Sequence, residues 1–162
     1  SFDFVLICII FLILLIIFFI DLKHYIIPDS LNFSLISIGI IKNFTTQDLL
    51  KFNYNLPDSL FGGALGYLII WLIIFIYKKM RNKEAMGLGD AKLLSAFGFL
   101  LGFQAVLPIV FIASLTGLIY VLPSLIFNKK NLQNIIPFGP FIIISGIIYY
   151  FCTESIFLLL KI

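Results

Sequence analysis

The stretch AKLLSAFGFLLGFQAVLPIVFIASLTGLIYVLPSLIF, residues 91–127, decides how this chain folds, because its only charge lies near its start. As one helix it would be about 55 Å long at about 1.5 Å per residue, nearly twice the thickness of a hydrocarbon core of about 30 Å. The chain must therefore turn back within this stretch. We expect the turn at Gly102, Phe103 and Gln104, and Pro108 fits the first turns of the next helix.

The composition around this stretch is that of a polytopic membrane protein. Hydrophobic residues make up 62% of the 162 residues, 19 of which are Phe, and the mean hydropathy is +1.16. So little polar surface cannot cover a soluble globule, and membrane lipid is the expected surrounding. The formal net charge of +3 forms no basic stripe, so nucleic acid is not an expected partner. Cys8 and Cys152 each stand alone in apolar runs, and we expect no disulfide, metal site or cofactor.

The lengths of the apolar runs predict an all-α membrane bundle of about six transmembrane helices within one domain, residues 1–162. A span needs roughly 20 apolar helical residues, and somewhat fewer suffice where flanking groups adapt. One span lies on each side of the turn in 91–127. The other four are expected at Phe4–Ile20, Leu31–Ile41, Leu60–Tyr77 and about Pro137–Leu160.

The basic residues predict the orientation of this bundle. Alternating loops place eight of the 11 Lys and Arg residues on one side, and the positive-inside rule makes that side cytoplasmic. Asp21, after the first span, and Asp90, before the fourth, then share the cytoplasmic depth. The eight are Lys23, Lys78, Lys79, Arg81, Lys83, Lys92, Lys129 and Lys130, against Lys42, Lys51 and Lys161.

A shared depth for Asp21 and Asp90 indicates one specific chemistry. Two carboxyls within a few ångströms cannot both ionise easily, so the pair holds one proton over a wide pH range. The ionised member can take a proton from water while the protonated member polarises a peptide carbonyl, as in aspartic proteases. Gly87 and Gly89 fit this chemistry, because without a Cβ they let the backbone before Asp90 approach a neighbouring helix or an extended substrate.

Three segments also resemble one enzyme family, the type IV prepilin peptidases, which are membrane aspartic proteases. KEAMGLGDAKLLSAFG (residues 83–98) resembles their Gly-x-Gly-Asp motif, and DLKHYIIPD (21–29) resembles their first aspartate segment. Together with IPFGPF (136–141), these segments are most similar to the bacterial branch. The resemblance implies that Asp21 and Asp90 are the catalytic pair. It implies cleavage of the leader peptide of type IV prepilins or of type II secretion pseudopilins at the cytoplasmic face of the inner membrane.

The resemblance carries over cleavage but not methylation. Larger bacterial members have an N-terminal region with paired Cys-x-x-Cys motifs, which is associated with methylation of the new N-terminus by S-adenosylmethionine. This sequence contains no such motif.

The family's substrates also imply how they reach the site. Prepilins resemble one another in a short basic leader, a Gly just before the cut, and a hydrophobic helix after it. The leader is therefore expected to enter extended from the cytoplasm while the helix stays in lipid. This requires a lateral opening, for which the charged segment 78–89 is the expected gate.

Each of these polar residues also has a purely structural interpretation. Asp90 follows a glycine, so the alternative is that it serves merely as a helix cap without a catalytic role. Asp29 after Pro28 is expected to be an N-cap, with a supporting role at the site as the alternative. Lys92 is expected to be a topology signal, with a lipid phosphate or the substrate as its alternative ligand. A proton- or ion-coupled transporter and a non-catalytic membrane assembly subunit remain alternative functions.

Overall fold

The described part of the chain folds into a bundle of six α-helices, which confirms the predicted fold class. The computed structural model describes residues 2–45, 55–81, 87–127 and 136–160. The helices are α1 (Phe2–His24), α2 (Asp29–Thr45), α3 (Leu56–Arg81), α4 (Leu88–Leu101), α5 (Phe103–Phe127) and α6 (Gly139–Leu160).

Three of these helices are long and apolar enough to cross a membrane, over Phe4–His24, Leu56–Met80 and Phe103–Pro123. The chain is therefore a membrane protein. A shorter apolar stretch, Gly139–Thr153, lies in α6, whereas α2 has 17 residues and α4 only 14. Six crossings thus remain a prediction, although six helices lie where the sequence places them.

The chain turns back inside residues 91–127 at a single residue, Gly102, rather than over the three expected. Its φ of 80° lies in the left-handed region that favours glycine. Its N–H donates to the carbonyl of Gly98 at 2.9 Å, which closes α4 while α5 begins at Phe103. Pro108 lies in the second turn of α5, close to its expected place.

The short helix α4 lies at the centre of the bundle and contacts α2, α3, α5 and α6. Ten of its 14 residues are buried, among them Leu93, Leu94 and Phe97. Because longer helices surround it, α4 has little contact with lipid and its length need not match the membrane. The helix that carries Asp90 is therefore held on nearly every side.

Glycines of α3, among them Gly62 and Gly66, bring this helix into backbone contact with α4. A Cβ on Gly62 would lie 2.6 Å from the carbonyl oxygen of Gly98, and one on Gly66 would lie 2.7 Å from that of Leu94. Small residues allow such close approach between membrane helices, where van der Waals packing rather than water release drives association.

We expect Gly98→Ala to destabilise the fold by about 1–3 kcal/mol, the usual cost of overpacking. Its Cβ would collide with the backbone of Gly62, which cannot yield as a side chain can. Gly117→Ala is the matched control, because its Cβ would lie 3.7 Å from the ring of Phe141, an ordinary contact. Thermal unfolding in detergent, followed by circular dichroism, measures both. Equal melting temperatures for the two variants would contradict a tight α3–α4 interface.

The end of α4 away from Asp90 is held by Lys42, a buried residue in the last turn of α2. Its Nζ donates to the carbonyl oxygen of Leu100 at 2.5 Å. The last carbonyls of a helix have no partner within the helix, so this contact satisfies one of them. The C-terminal end of α4 is thus anchored to α2.

Candidate active site

Asp21 lies inside α1 rather than at its end, because α1 continues to His24. It occupies the buried stripe formed with Ile10, Leu14 and Ile17, whose spacing of four, three and four residues keeps all of them on one helix face. Only 4% of Asp21 is exposed. The carboxyl therefore points into the bundle, which its position after an apolar run did not establish.

The carboxyl of Asp21 lies directly against the start of α6. A Cβ on Gly139 would collide with Oδ2 of Asp21, and the backbone N–H of Gly139 lies against the same carboxyl. Oδ2 makes no hydrogen bond within the described part of the chain. The segment IPFGPF thus contributes Gly139, and any other residue at this position would displace the carboxyl of Asp21.

Asp90 is the third residue of α4, and Gly87 occupies the N-cap position with φ −79° and ψ 149°. The carboxylate of Asp90 accepts a hydrogen bond from the backbone N–H of Gly87. An acidic residue at this position can reach back to the N-cap in that way, as in a capping box. Asp90 is therefore not the N-cap itself but does support the helix start, so the structural interpretation stands beside the chemical one.

The two carboxyls, here called the dyad, line one polar pocket of about 520 Å³. They come from different helices, and 7% of Asp90 is exposed. Both carboxyls thus lie at one end of the bundle. The pocket is lined by Asp21, residues 25–29, residues 87–90, Lys92 and residues 136–138.

The protonation of Asp90 differs from that of an exposed aspartate. The pKa of Asp90 is raised to about 7, mainly by burial and to a smaller extent by the nearby carboxyl of Asp21. The hydrogen bond from Gly87 lowers this pKa but does not offset the other two effects. Asp90 lies in the first turn of α4, outside the three candidate spans. Near neutral pH this carboxyl can therefore hold or release a proton.

Ile27 joins the segments that carry the dyad. A Cβ on Gly89 would lie 3.0 Å from Cβ of Ile27, and one on Gly139 would lie 2.9 Å from its Cδ1. The side chain of Ile27 thus packs on the residue before Asp90 and on the glycine against Asp21. Gly89 makes the expected close approach, whereas a Cβ on Gly87 would meet, among the described residues, only the backbone N of Gly89, at 3.8 Å. Nothing in the sequence distinguishes Ile27 from the many other isoleucines.

Asp29 and Lys92 form an ion pair at the rim of the polar pocket, with Nζ of Lys92 2.6 Å from Oδ1 of Asp29. The Pro28 carbonyl accepts the first helical bond, from the N–H of Asn32 at 3.3 Å. Pro28 is therefore the N-cap and Asp29 the first helical residue, so the expected N-cap role of Asp29 is wrong. The pair links α2 to α4, although half-exposed ion pairs contribute only about 0–1 kcal/mol. The sequence predicted both residues near the site but not their contact.

Asn32 and Tyr25 are site residues that sequence analysis missed. Nδ2 of the buried Asn32 donates to the carbonyl of Gly89 at 3.4 Å, a weak bond that ties α2 to the residue before Asp90. Tyr25 directly follows α1 with a φ of 56°, a conformation rare for bulky residues, and lines the polar pocket. Asn32 could have been found from the sequence, because a polar amide there lies within an otherwise largely apolar stretch of α2.

The structure describes only the two ends of segment 78–89, the expected gate. Residues 78–81 form the end of α3, and residues 87–89 begin the site at α4. Residues 82–86, which carry the centre of that hypothesis, lie outside the described residues.

Comparison with known proteins gives a consistent result. A sequence profile of the type IV leader peptidase family matches residues 8–122. A prepilin leader peptidase/N-methyltransferase of Legionella pneumophila is 43% identical over 138 residues, which are 85% of this chain and 46% of that protein. No solved structure matches.

Two further proteins of the same name are similar. The one from Xanthomonas campestris pv. campestris is 34% identical over 134 residues, 82% of this chain and 44% of that protein. The one from Pectobacterium carotovorum subsp. carotovorum is 36% identical over 134 residues, 83% of this chain and 46% of that protein. The chain spans a little under half the length of these relatives. Because the family profile covers most of its residues, the chain belongs to the type IV leader peptidase family.

Proposed function

We propose that this chain is a membrane aspartic endopeptidase that cleaves the leader peptide of type IV prepilins or pseudopilins. The observation that carries the proposal is the pair of buried carboxyls, Asp21 and Asp90, which reach one polar pocket from separate helices. The relatives' name, prepilin leader peptidase/N-methyltransferase, supports the same substrate class. In this proposal the whole chain forms one peptidase domain.

The proposed chemistry uses the dyad as one unit. The two carboxyls share a proton, because ionising both would place two negative charges in one buried site. The ionised carboxyl takes a proton from an attacking water molecule while the protonated carboxyl donates its proton to the carbonyl oxygen of the scissile peptide, which gives a tetrahedral diol. The diol then collapses: the C–N bond breaks as the first carboxyl gives its proton to the leaving nitrogen, and a hydroxyl proton returns to the second carboxyl, so that the pair again shares one proton.

The remaining predicted site residues have supporting roles in this proposal. Gly89 lets Ile27 pack against the backbone beside Asp90, and Gly87 leaves room for an extended substrate. The Asp29–Lys92 pair ties α2 to α4 at the rim of the pocket.

We further propose that the protein lies in the cytoplasmic membrane with the polar pocket facing the cytoplasm. Lys23 at the end of α1, Lys78 and Lys79 at the end of α3, and Lys92 at the start of α4 lie at the dyad end. Lys42 lies at the opposite end, where it donates a hydrogen bond to the carbonyl oxygen of Leu100. This distribution follows the positive-inside rule.

A cleavage assay tests the proposed function directly. The chain is reconstituted in liposomes with a peptide that contains a basic leader, a Gly-Phe junction and an apolar helix. Mass spectrometry is expected to show one cut, after the glycine. An intact peptide in the presence of folded protein would contradict the assignment, and proton or ion flux across the same liposomes would favour a transporter instead.

The pH dependence of cleavage follows from the raised pKa of Asp90. A carboxyl with a pKa of about 7 is protonated below that pH and ionised above it, so the shared proton is lost as pH rises through about 7. We expect kcat/KM to fall above that pH, by about tenfold per pH unit at the limit of a single ionisation. Rates measured from pH 5 to 9 check this expectation. A kcat/KM that still rises between pH 8 and 9 would show that no shared proton is needed.

A further inference from the structure

We propose that an apolar groove between α1 and α6 holds the hydrophobic helix of the substrate, one helical turn from the dyad. This proposal rests on the proposed function, in which the helix that follows the cut stays in lipid while the leader enters the polar pocket. The occupant is thus an apolar helix whose N-terminal end lies at the site of cleavage.

The groove is open to lipid and almost wholly apolar. Its volume is about 490 Å³. Three of its α1 side chains, Leu12, Leu15 and Phe19, are 60%, 56% and 60% exposed. Six lining residues come from α1 between Phe11 and Phe19, and three, Ile143, Ile144 and Ile147, come from α6.

On α1 the wall of the groove leads to the dyad. Leu14 and Phe18 line the groove, and Asp21 follows them at the spacing i, i+4, i+7, which keeps all three on one helix face. A helix lying along this wall therefore points one end toward Asp21.

On α6 the opposite wall leads to the same place. Ile143 and Ile147 line the groove, and Gly139 precedes them on the same face at intervals of four residues. Gly139 lies against the carboxyl of Asp21. Both walls thus converge on the Asp21–Gly139 contact, which distinguishes this groove from an arbitrary lipid-facing depression.

The distances suit a bound helix that is connected to the cut by a short extended segment. Inside lipid the backbone must satisfy its own hydrogen bonds, so the bound segment is helical there. From the depth of Ile143 to that of Gly139 is about 6 Å at about 1.5 Å per residue. About two extended residues of roughly 3.3 Å each cover that distance. The scissile bond is therefore expected within about two residues of the start of the bound helix.

Filling the groove should weaken binding of the substrate helix. Leu15→Trp places a larger side chain on the groove wall at a lipid-facing position that tolerates it. We expect this change to raise KM for the helix-bearing peptide at least tenfold relative to KM for a short peptide with the same Gly-Phe junction. The matched control is Leu72→Trp on α3, which is 50% exposed, lies outside the groove and should leave both values unchanged.

Photo-crosslinking identifies the occupant. A benzophenone amino acid at position 15 should label the helix of the peptide, and one at position 72 should not. Labelling of lipid alone at position 15, undiminished by excess peptide, would make the groove a lipid site and overturn the proposal. An equal effect of Leu15→Trp on both peptides would also overturn it. Failure of the wild-type chain to cleave either peptide would instead count against the proposed function.

Discussion

Asp90→Asn is expected to reduce cleavage about a thousandfold or more while the protein remains folded. An amide cannot act as an acid or a base in the shared-proton chemistry, so the dyad loses its function. The amide keeps nearly the same volume and retains an oxygen that can accept the N–H of Gly87, which the carboxylate accepts in the wild type. On the purely structural interpretation the variant would therefore work almost normally.

Asp21→Asn should lower cleavage to a similar extent, and the double variant should be scarcely worse than either single variant. Groups that act as one unit lose their effect together, so their losses do not add. Asp29→Asn is the control, because Asp29 is 57% exposed in its ion pair with Lys92, and substantial activity should remain. Turnover is measured with the Gly-Phe peptide at equal amounts of folded protein. Near-normal turnover of Asp90→Asn would return this residue to a helix-capping role.

Gly139→Ala should lower cleavage about a hundredfold, although the substitution adds only one methyl group. That methyl would collide with Oδ2 of Asp21 and lie 2.9 Å from Cδ1 of Ile27. The carboxyl must move to make room, and a displacement of about 1 Å at a reacting group can cost about a hundredfold in rate. Cleavage per folded molecule, with the folded amount determined by circular dichroism, is the quantity to compare.

Gly146→Ala is the matched control on the same helix. Its Cβ would collide with the ring of Phe97, so the variant is also overpacked, but two turns of α6 separate it from Gly139. We expect a lower melting temperature with little loss of cleavage per folded molecule. If both variants lose activity in proportion to stability, Gly139 has a packing role only.

The site was predictable in part because its motif residues carry local signals. The motif residues Gly87, Gly89 and Asp90 lie within four positions of the chain, and Asp21 follows an apolar run. The order of residues along the chain was therefore enough to infer a polar end of the bundle. All six residues predicted for the site line the polar pocket. Ile27, Asn32 and Gly139 gain their positions only from neighbours distant in the chain, and the Asp29–Lys92 pair joins residues 63 positions apart.

Length and composition by themselves determined the membrane class, the six helices and the turn within residues 91–127. The physical reason is that a hydrocarbon core of about 30 Å limits how long an apolar helix can be. Only the tertiary structure decided which face of each helix points inward. In water an amphipathic pattern would reveal that face, but in lipid the outer surface is as apolar as the core. Helix α1 is apolar on every side, so the placement of Asp21 on its buried stripe, against Gly139, followed only from the packing of α1 on α6.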